Sequence, residues 1–514
     1  MVDRGWQRSK KNVRDDRTVL GHGSQKAGNH DITITIAGPR SSGKPPSTTA
    51  KRTTEANRAQ ERKVSVQFMQ YEPPVSAAGQ ASERCRRTAR RAKSVVQRRR
   101  GQAPSAAHPI VSPSPLSVRS STLRQSIPGS ASPLYTFIDP EVSSFQEFIA
   151  YYPTRLASAL LPISKHAPVS SNAIKEIWLP AAINDEVFLH VILLSSAMHY
   201  VSTMNCEDVG DSNLLLKVIF DRLNRRLLTG KYSDTTIGAV SCLALNENGQ
   251  GSHTQWAIHT AGMSEMIRDR GGMASIPPEK RLKLYRGEII GAVDTLSMPR
   301  LPQPPRTTKS LYDTMKMSFP PHVTLLSAIL ESNVTRNMSD LLIDLSLFSQ
   351  TLNYAAKSGV VIDSMAYEED ITRMQYDLLV IDTLGGTALD GACRLAALAF
   401  GQSIMQETPF RRSASVEISR QLQGILTVDD SAGFDSDLMF WILVMGALVS
   451  SQTAEKEWFR TKLRDRVSQR GHCFSWPAAK ALLGAMFWVD CLLDVHGERL
   501  WHEVSGPTCV RQSA

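Results

Sequence analysis

From about residue 135 onward, apolar residues recur at three- and four-residue steps in one segment after another, and long apolar/polar alternation is absent. That period belongs to amphipathic helices and not to half-buried strands, so it restricts this part of the chain to an all-α fold. The stretch WAIHTAGMSEMIRDRGGM, Trp256 to Met273, shows the pattern most fully. Trp256, His259, Met263, Met266 and Ile267 share one face, and Arg268 and Arg270 fall in the last turn, where positive charge suits the helix dipole. Gly271 and Gly272 then stop the helix. One of them is expected in the left-handed conformation, with Met273 folding back on the last turn.

The same reading predicts helices over Ser143–Tyr151, Asn172–Trp178, Glu186–Met204, Ser212–Leu228, Asp234–Asn246, Ser252–Asp269 and Pro278–Ser297. A second set follows at His322–Glu331, Asp340–Lys357, Glu368–Leu384, Thr387–Met405, Ala414–Thr427, Asp437–Ser451, Glu455–Arg470 and Trp476–Val495. A multi-helix array of about fifteen members is the expected architecture of residues 135–514. MPRLPQPPRTT, Met298 to Thr308, marks a division of the body into two subregions. No fixed-period repeat is present, which argues against a regular solenoid.

Residues 1–134 read differently. They are polar and rich in Ser, Pro, Gly and Gln, and hold 25 Lys and Arg against 8 Asp and Glu. Such a segment cannot bury enough apolar surface to offset its ordering entropy, so a disordered basic leader is expected. Residues 101–133, rich in Ser, Ala and Pro, form its linker. The chain carries a formal net charge of +10, so the remainder is mildly acidic. A basic leader on an acidic body points the leader at polyanions.

Three leader motifs need weighing. Gly38, Gly43 and Lys44 match the spacing of a phosphate-binding loop, but Pro45 stands where the magnesium-binding Ser or Thr belongs. NRAQERK, Asn57 to Lys63, resembles the basic region of leucine-zipper proteins, yet no leucine follows until Leu116. The third motif is Arg84, Arg86, Arg87, Arg90, Arg91, Lys93, Arg98, Arg99 and Arg100, nine basic residues among seventeen with no acidic one. This run suits a nuclear import signal or a phosphate-binding patch, with an import receptor or DNA as partner.

Catalytic signatures were sought in the same way. There is no G-x-S-x-G, no H-E-x-x-H and no closely spaced cysteine pair. No enzyme activity, cofactor or metal site is therefore expected. The seven cysteines are scattered and read as reduced thiols. The apolar segment Val187 to Met204 is interrupted by His190, Ser195, Ser196 and His199, so no membrane association is expected. Asp490 reads as a hydrogen-bonded structural carboxylate. The tryptophans at 441, 458, 476, 488 and 501 sit at core spacing, with a small-molecule pocket among them as the alternative.

One ordered series of segments carries a resemblance. H-x-x-G-M-x-x-M-I-x-x-R-G-G, which includes His259, Gly262, Arg270, Gly271 and Gly272, is similar to a segment of the fungal-specific transcription factor domain. Trp178 and Asp185 in WLPAAINDEVFLHVILLSSAMHY, ending near His199, resemble the same family, as does Asn224 in LLLKVIFDRLNRRLLTG. Trp256 precedes the central motif. Asp294 and MPRLPQPP follow it, then Trp441 in DLMFWILVMGALVS, Trp458 in EKEWF, and Trp488 with Asp490 in LLGAMFWVDCLLDVHGERLW. The resemblance covers roughly residues 135 to 505.

It implies an all-α regulatory domain in a nuclear transcription regulator, with other transcription regulators and a second copy of the chain as partners. The family's DNA reader needs six closely spaced cysteines, and the leader contains only Cys85. A binuclear zinc cluster cannot be built from these residues. DNA contact, if made, is expected through the basic leader. The alternative is a cofactor that binds no DNA and acts on zinc-cluster regulators.

Overall fold

A computed structural model describes residues 145–204, 211–314, 322–331, 334–381, 386–405, 416–428, 437–450, 453–470 and 474–505. The expectations for the leader, including Arg84 to Arg100, concern residues outside these. Residues 145–514 are 81% helical, with sixteen helices and no strand among the described residues.

In the first half these are α1 (Phe145–Tyr151), α2 (Leu179–Ile183), α3 (Glu186–Met204), α4 (Asp211–Leu227), α5 (Asp234–Gly249), α6 (His253–Asp269) and α7 (Pro278–Thr295). The second half supplies α8 (Val323–Glu331), α9 (Arg336–Ser358), α10 (Ser364–Val380), α11 (Ala388–Met405) and α12 (Val416–Val428). It closes with α13 (Asp437–Val449), α14 (Thr453–Gln469), α15 (Trp476–Met486) and α16 (Asp490–Val504). Wide π-helical turns extend α1 (Tyr152–Leu156) and precede α2 (Ile174–Trp178). The nearest approach to a sheet is one parallel bridge, Val169 to Ile362.

Local chemistry explains where these helices begin and end. Ser233 caps α5 by accepting from the Thr236 amide, and Asp363 caps α10 by accepting from the Ala366 amide. Helix α6 ends on Gly271 (φ 101°) and Gly272 (φ 87°), both in the half of the map that glycine alone enters cheaply. The Gly272 amide donates back to the Ile267 carbonyl, and Met273 is buried beside Met266 and Ile267. Both glycines take positive φ, and Gly272, with ψ −175°, is extended rather than left-handed helical.

The apolar interior forms two clusters. One gathers residues from α1 to α7, with Trp178, Phe188, Ile219, Met263 and Tyr285 at its centre. The other gathers α8 to α16 with Trp441, Phe400, Phe459 and Trp488. Helix α7 belongs to both: Leu284 and Tyr285 pack in the first, and Ile289, Ile290 and Val293 in the second. The proline-rich segment after α7 is strapped to α10. Glu369 accepts from the amides and hydroxyls of Thr307 and Thr308, and Asp370 accepts from Arg306 and the Leu311 amide. Helix α3 has the length and apolarity of a membrane span but is 67% buried among its neighbours.

The single helix expected over Trp476–Val495 is corrected to two, α15 and α16, because Phe487, Trp488 and Val489 are extended between them. All three residues are fully buried. Their backbone groups find partners outside the segment: the Trp441 indole donates to the Phe487 carbonyl (3.0 Å) and Asn353 donates to the Trp488 carbonyl (2.6 Å). The Asn353 carbonyl in turn accepts from the Asp490 amide at 2.8 Å. One asparagine on α9 thus replaces the helical bonds that the break removes. Asp490 is consequently the first residue of α16 and not mid-helix, and it pairs with Lys357 at 2.9 Å.

Candidate ligand cavity and the sequence-predicted residues

The residues singled out in the sequence do not meet at one point. They stand in separate pairs that fasten neighbouring helices. Asp185, just before α3, accepts from the Phe188 amide, on both carboxylate oxygens from Arg226 Nη1 (2.7 and 2.8 Å), and from Thr235 (2.5 Å). Burial would raise its pKa, but the Arg226 guanidinium, the Thr235 hydroxyl and the Phe188 amide outweigh burial and hold it below the ordinary value. Arg270 and Lys280 both bind Asp234, tying the end of α6 and the start of α7 to the start of α5.

The aromatic members are structural as well. The Trp256 indole donates to the Gly287 carbonyl at 2.9 Å and lies so close over Gly291 that a β-carbon there would overlap it. His259 stacks on Phe220, and burial lowers its pKa to about 4, which keeps the ring neutral. His199 hydrogen bonds the Tyr151 hydroxyl at 2.8 Å. Asn224 buries its side-chain oxygen on α4 without a hydrogen-bond partner. Gly262 has open space where a β-carbon would stand, so packing does not require glycine there.

Trp441 and Trp488 are wholly buried, the latter donating to Asp494 at 2.9 Å, whereas Trp458 is half-buried with Lys462 over its ring. The cavity among the C-terminal tryptophans, between Trp476 and Trp501, measures about 10 Å³. That is room for a single water at most, and its lining is apolar.

Because Asp185 is held ionised, its contribution to stability has a definite pH dependence. With a folded pKa below the unfolded value of about 3.9, the stabilisation is complete above that value and disappears as pH falls through the folded pKa. Asp185→Asn should cost about 1.5–3 kcal/mol at pH 7, the range for hydrogen bonds to a charged group. Thermal melts of both proteins at pH 7 and pH 3 check this: the gap should narrow at pH 3. An equal gap at both values would mean that the charge contributes nothing.

A different place has the makings of a binding site. Between the π turn before α2, α5, α7 and the start of α10 lies a cavity of about 30 Å³. A second of about 30 Å³ adjoins it and shares Leu160, Leu245 and Lys283. Four charged side chains line the first: Lys283 (8% exposed), Arg286 (7% exposed), the partly buried Glu368 and the exposed Glu279. The Lys283 ammonium sits 5.2 Å from the centre of the Trp178 ring. Arg286 donates to the Met405 carbonyl at 2.5 Å, while its Nε is buried without a partner.

Burial pushes the Glu368 pKa up, against the pull of Arg286 and Lys283, and lowers that of Arg286. None of these charged residues was singled out from the sequence; of the cavity's lining only Trp178 was. On α7 the run EKRLKLYRGE reads as a charged, solvated face, but the helix is buried nearly all round. Among the described residues, no group of three or more His, Cys, Asp or Glu side chains is placed to hold a metal ion.

Comparison with known proteins found no matching family model, no matching curated protein and no matching solved structure.

Proposed function

We propose that the chain is a nuclear transcriptional regulator of the fungal-specific transcription factor type, reaching DNA through its basic leader. The observation that carries this reading is the division of charge and fold. A seventeen-residue run with nine basic and no acidic residues precedes an all-α, mildly acidic body. The ordered motif series from Trp178 to Asp490 supports it. A dense cationic segment gathers phosphate contacts without reading base sequence. That the leader holds only Cys85 favours one second reading, a cofactor recruited by zinc-cluster regulators without DNA contact of its own.

Chromatin occupancy of the full-length protein, compared with a version lacking residues 84–100 and fused to an independent import signal, separates the two. Direct contact requires that occupancy be lost; persistence means recruitment. Import by the run is tested by changing Arg90, Arg91, Lys93, Arg98, Arg99 and Arg100 together to alanine. The tagged variant should become cytoplasmic. Undisturbed nuclear accumulation would assign import to another segment, such as Arg8 to Lys11.

A further inference from the structure

We propose that Thr307 is a phosphorylation site and that a phosphate there detaches the proline-rich segment from α10. The argument starts from the carboxylate that holds this segment. Glu369 is 2% exposed on α10, and among the described residues no lysine or arginine forms an ion pair with it. Its hydrogen bonds come from Thr307 and Thr308: both amides, the Thr307 hydroxyl, and the Thr308 hydroxyl at 2.6 Å. Burial pushes the Glu369 pKa up, but these donors outweigh burial and hold it below the ordinary value. The segment is therefore fastened to an ionised carboxylate.

A phosphate on Thr307 reverses the sign of this contact. It removes one donor and sets about −1.5 to −2 of charge against a buried carboxylate that has no cation of its own. Two nearby cations are already engaged, Arg306 with Asp370 at 2.7 Å and Arg373 with the Pro304 carbonyl. Access fits the same reading. Thr307 is exposed, and residues 301–310 are neither helix nor strand, the irregular chain that a kinase groove admits. Arg306 and Lys309, both exposed, flank the threonine pair with the kind of charge pattern that kinases discriminate. The co-reactants are a protein kinase and a nucleoside triphosphate. Thr307 Oγ1 attacks the γ-phosphorus, the bond to the β–γ bridging oxygen breaks, and the nucleoside diphosphate leaves with that electron pair. The hydroxyl proton passes to the kinase's catalytic base. Detachment matters because the segment joins the two apolar clusters, with Leu301 in the first and Leu311 in the second.

The inference is separate from any DNA contact, and two measurements on the full-length protein test it. Mass-spectrometric mapping of the protein recovered from its own cells should find phosphate on Thr307. Phosphate on other residues only, or none, would overturn the site. Phosphothreonine installed at Thr307 during synthesis should speed hydrogen exchange of the Thr307 and Thr308 amides by about tenfold or more, relative to the matching free peptides, since one lost hydrogen bond to a charged group is worth that factor. Thr307→Val removes the hydroxyl, adds no charge and keeps both amides, so it should speed exchange less than the phosphate does. In Glu369→Gln the phosphate should no longer speed exchange, because the side-chain amide is uncharged and donates to it. Unchanged or slower exchange on phosphorylation, as capture of the phosphate by Arg306 or Lys309 would give, contradicts the proposal. So does an equal effect in Thr307→Val, or an undiminished one in Glu369→Gln.

Discussion

Replacing Trp488 by alanine should destabilise the folded body by about 3–5 kcal/mol, the range for removing a wholly buried large aromatic. The indole is inaccessible to solvent, and it sits in the three-residue extended link that separates α15 from α16. Its truncation leaves a void against Gly497, where the ring and the glycine backbone are in direct contact. The lost hydrogen bond to Asp494 contributes less. That carboxylate keeps Lys480 at 2.6 Å, so no orphaned charge remains. The half-buried Trp458 provides the internal control, since its alanine variant should cost no more than about 1–2 kcal/mol of transfer energy. Urea unfolding followed by circular dichroism ranks the two. Equal midpoints would mean that the link at Phe487 to Val489 is not part of the core.

The same link shows where sequence reading reached its limit. Helix α3 was legible to both ends, Glu186 to Met204, because its helix-compatible, largely apolar sequence runs through without Gly or Pro and no distant residue opens it. The α10 start was placed at Glu368 although Asp363, a favoured capping residue, stands before the observed first turn. That signal was present and overlooked. The break at Phe487 was not legible in the same sense. Phe, Trp and Val fit a buried helix face by spacing, and what opens the helix there is Asn353, more than a hundred residues away. Periodicity carries no information about such partners.

The candidate cavity was hidden for a related reason. Lys283, Arg286 and Glu368 are residue types that normally face water, so pattern alone assigns them to the solvated side of their helices. Helix α7 has no such side, because it serves both apolar clusters at once. The family-like residues fared better as structure than as a site. Asp185, Arg270, Trp256 and Trp441 each fasten two elements, and none lines the charged chamber except their neighbour Trp178.

The second large effect is expected on DNA. The leader's single cysteine, Cys85, cannot build a zinc cluster that presents a rigid helix to the major groove, so contact through the leader is expected to make few paired contacts to base edges. On the proposed reading the run of nine cations neutralises phosphates, each adding about 0.9 to the slope of log K against log salt. With five to eight of them engaged, the slope should be roughly −5 to −7, with affinity on the order of micromolar at physiological salt and little preference for sequence. In the six-alanine variant only Arg84, Arg86 and Arg87 remain in the run. Its slope should be no steeper than about −3, and its affinity at low salt should fall by several orders of magnitude.

Titrating a labelled duplex with the wild-type protein and this variant across a series of salt concentrations therefore tests the central claim, that the basic leader is the DNA-contacting element. The account predicts weak, steeply salt-dependent binding that the six substitutions flatten. Nanomolar binding to one sequence with a shallow slope, or a slope that the substitutions leave unchanged, would contradict it.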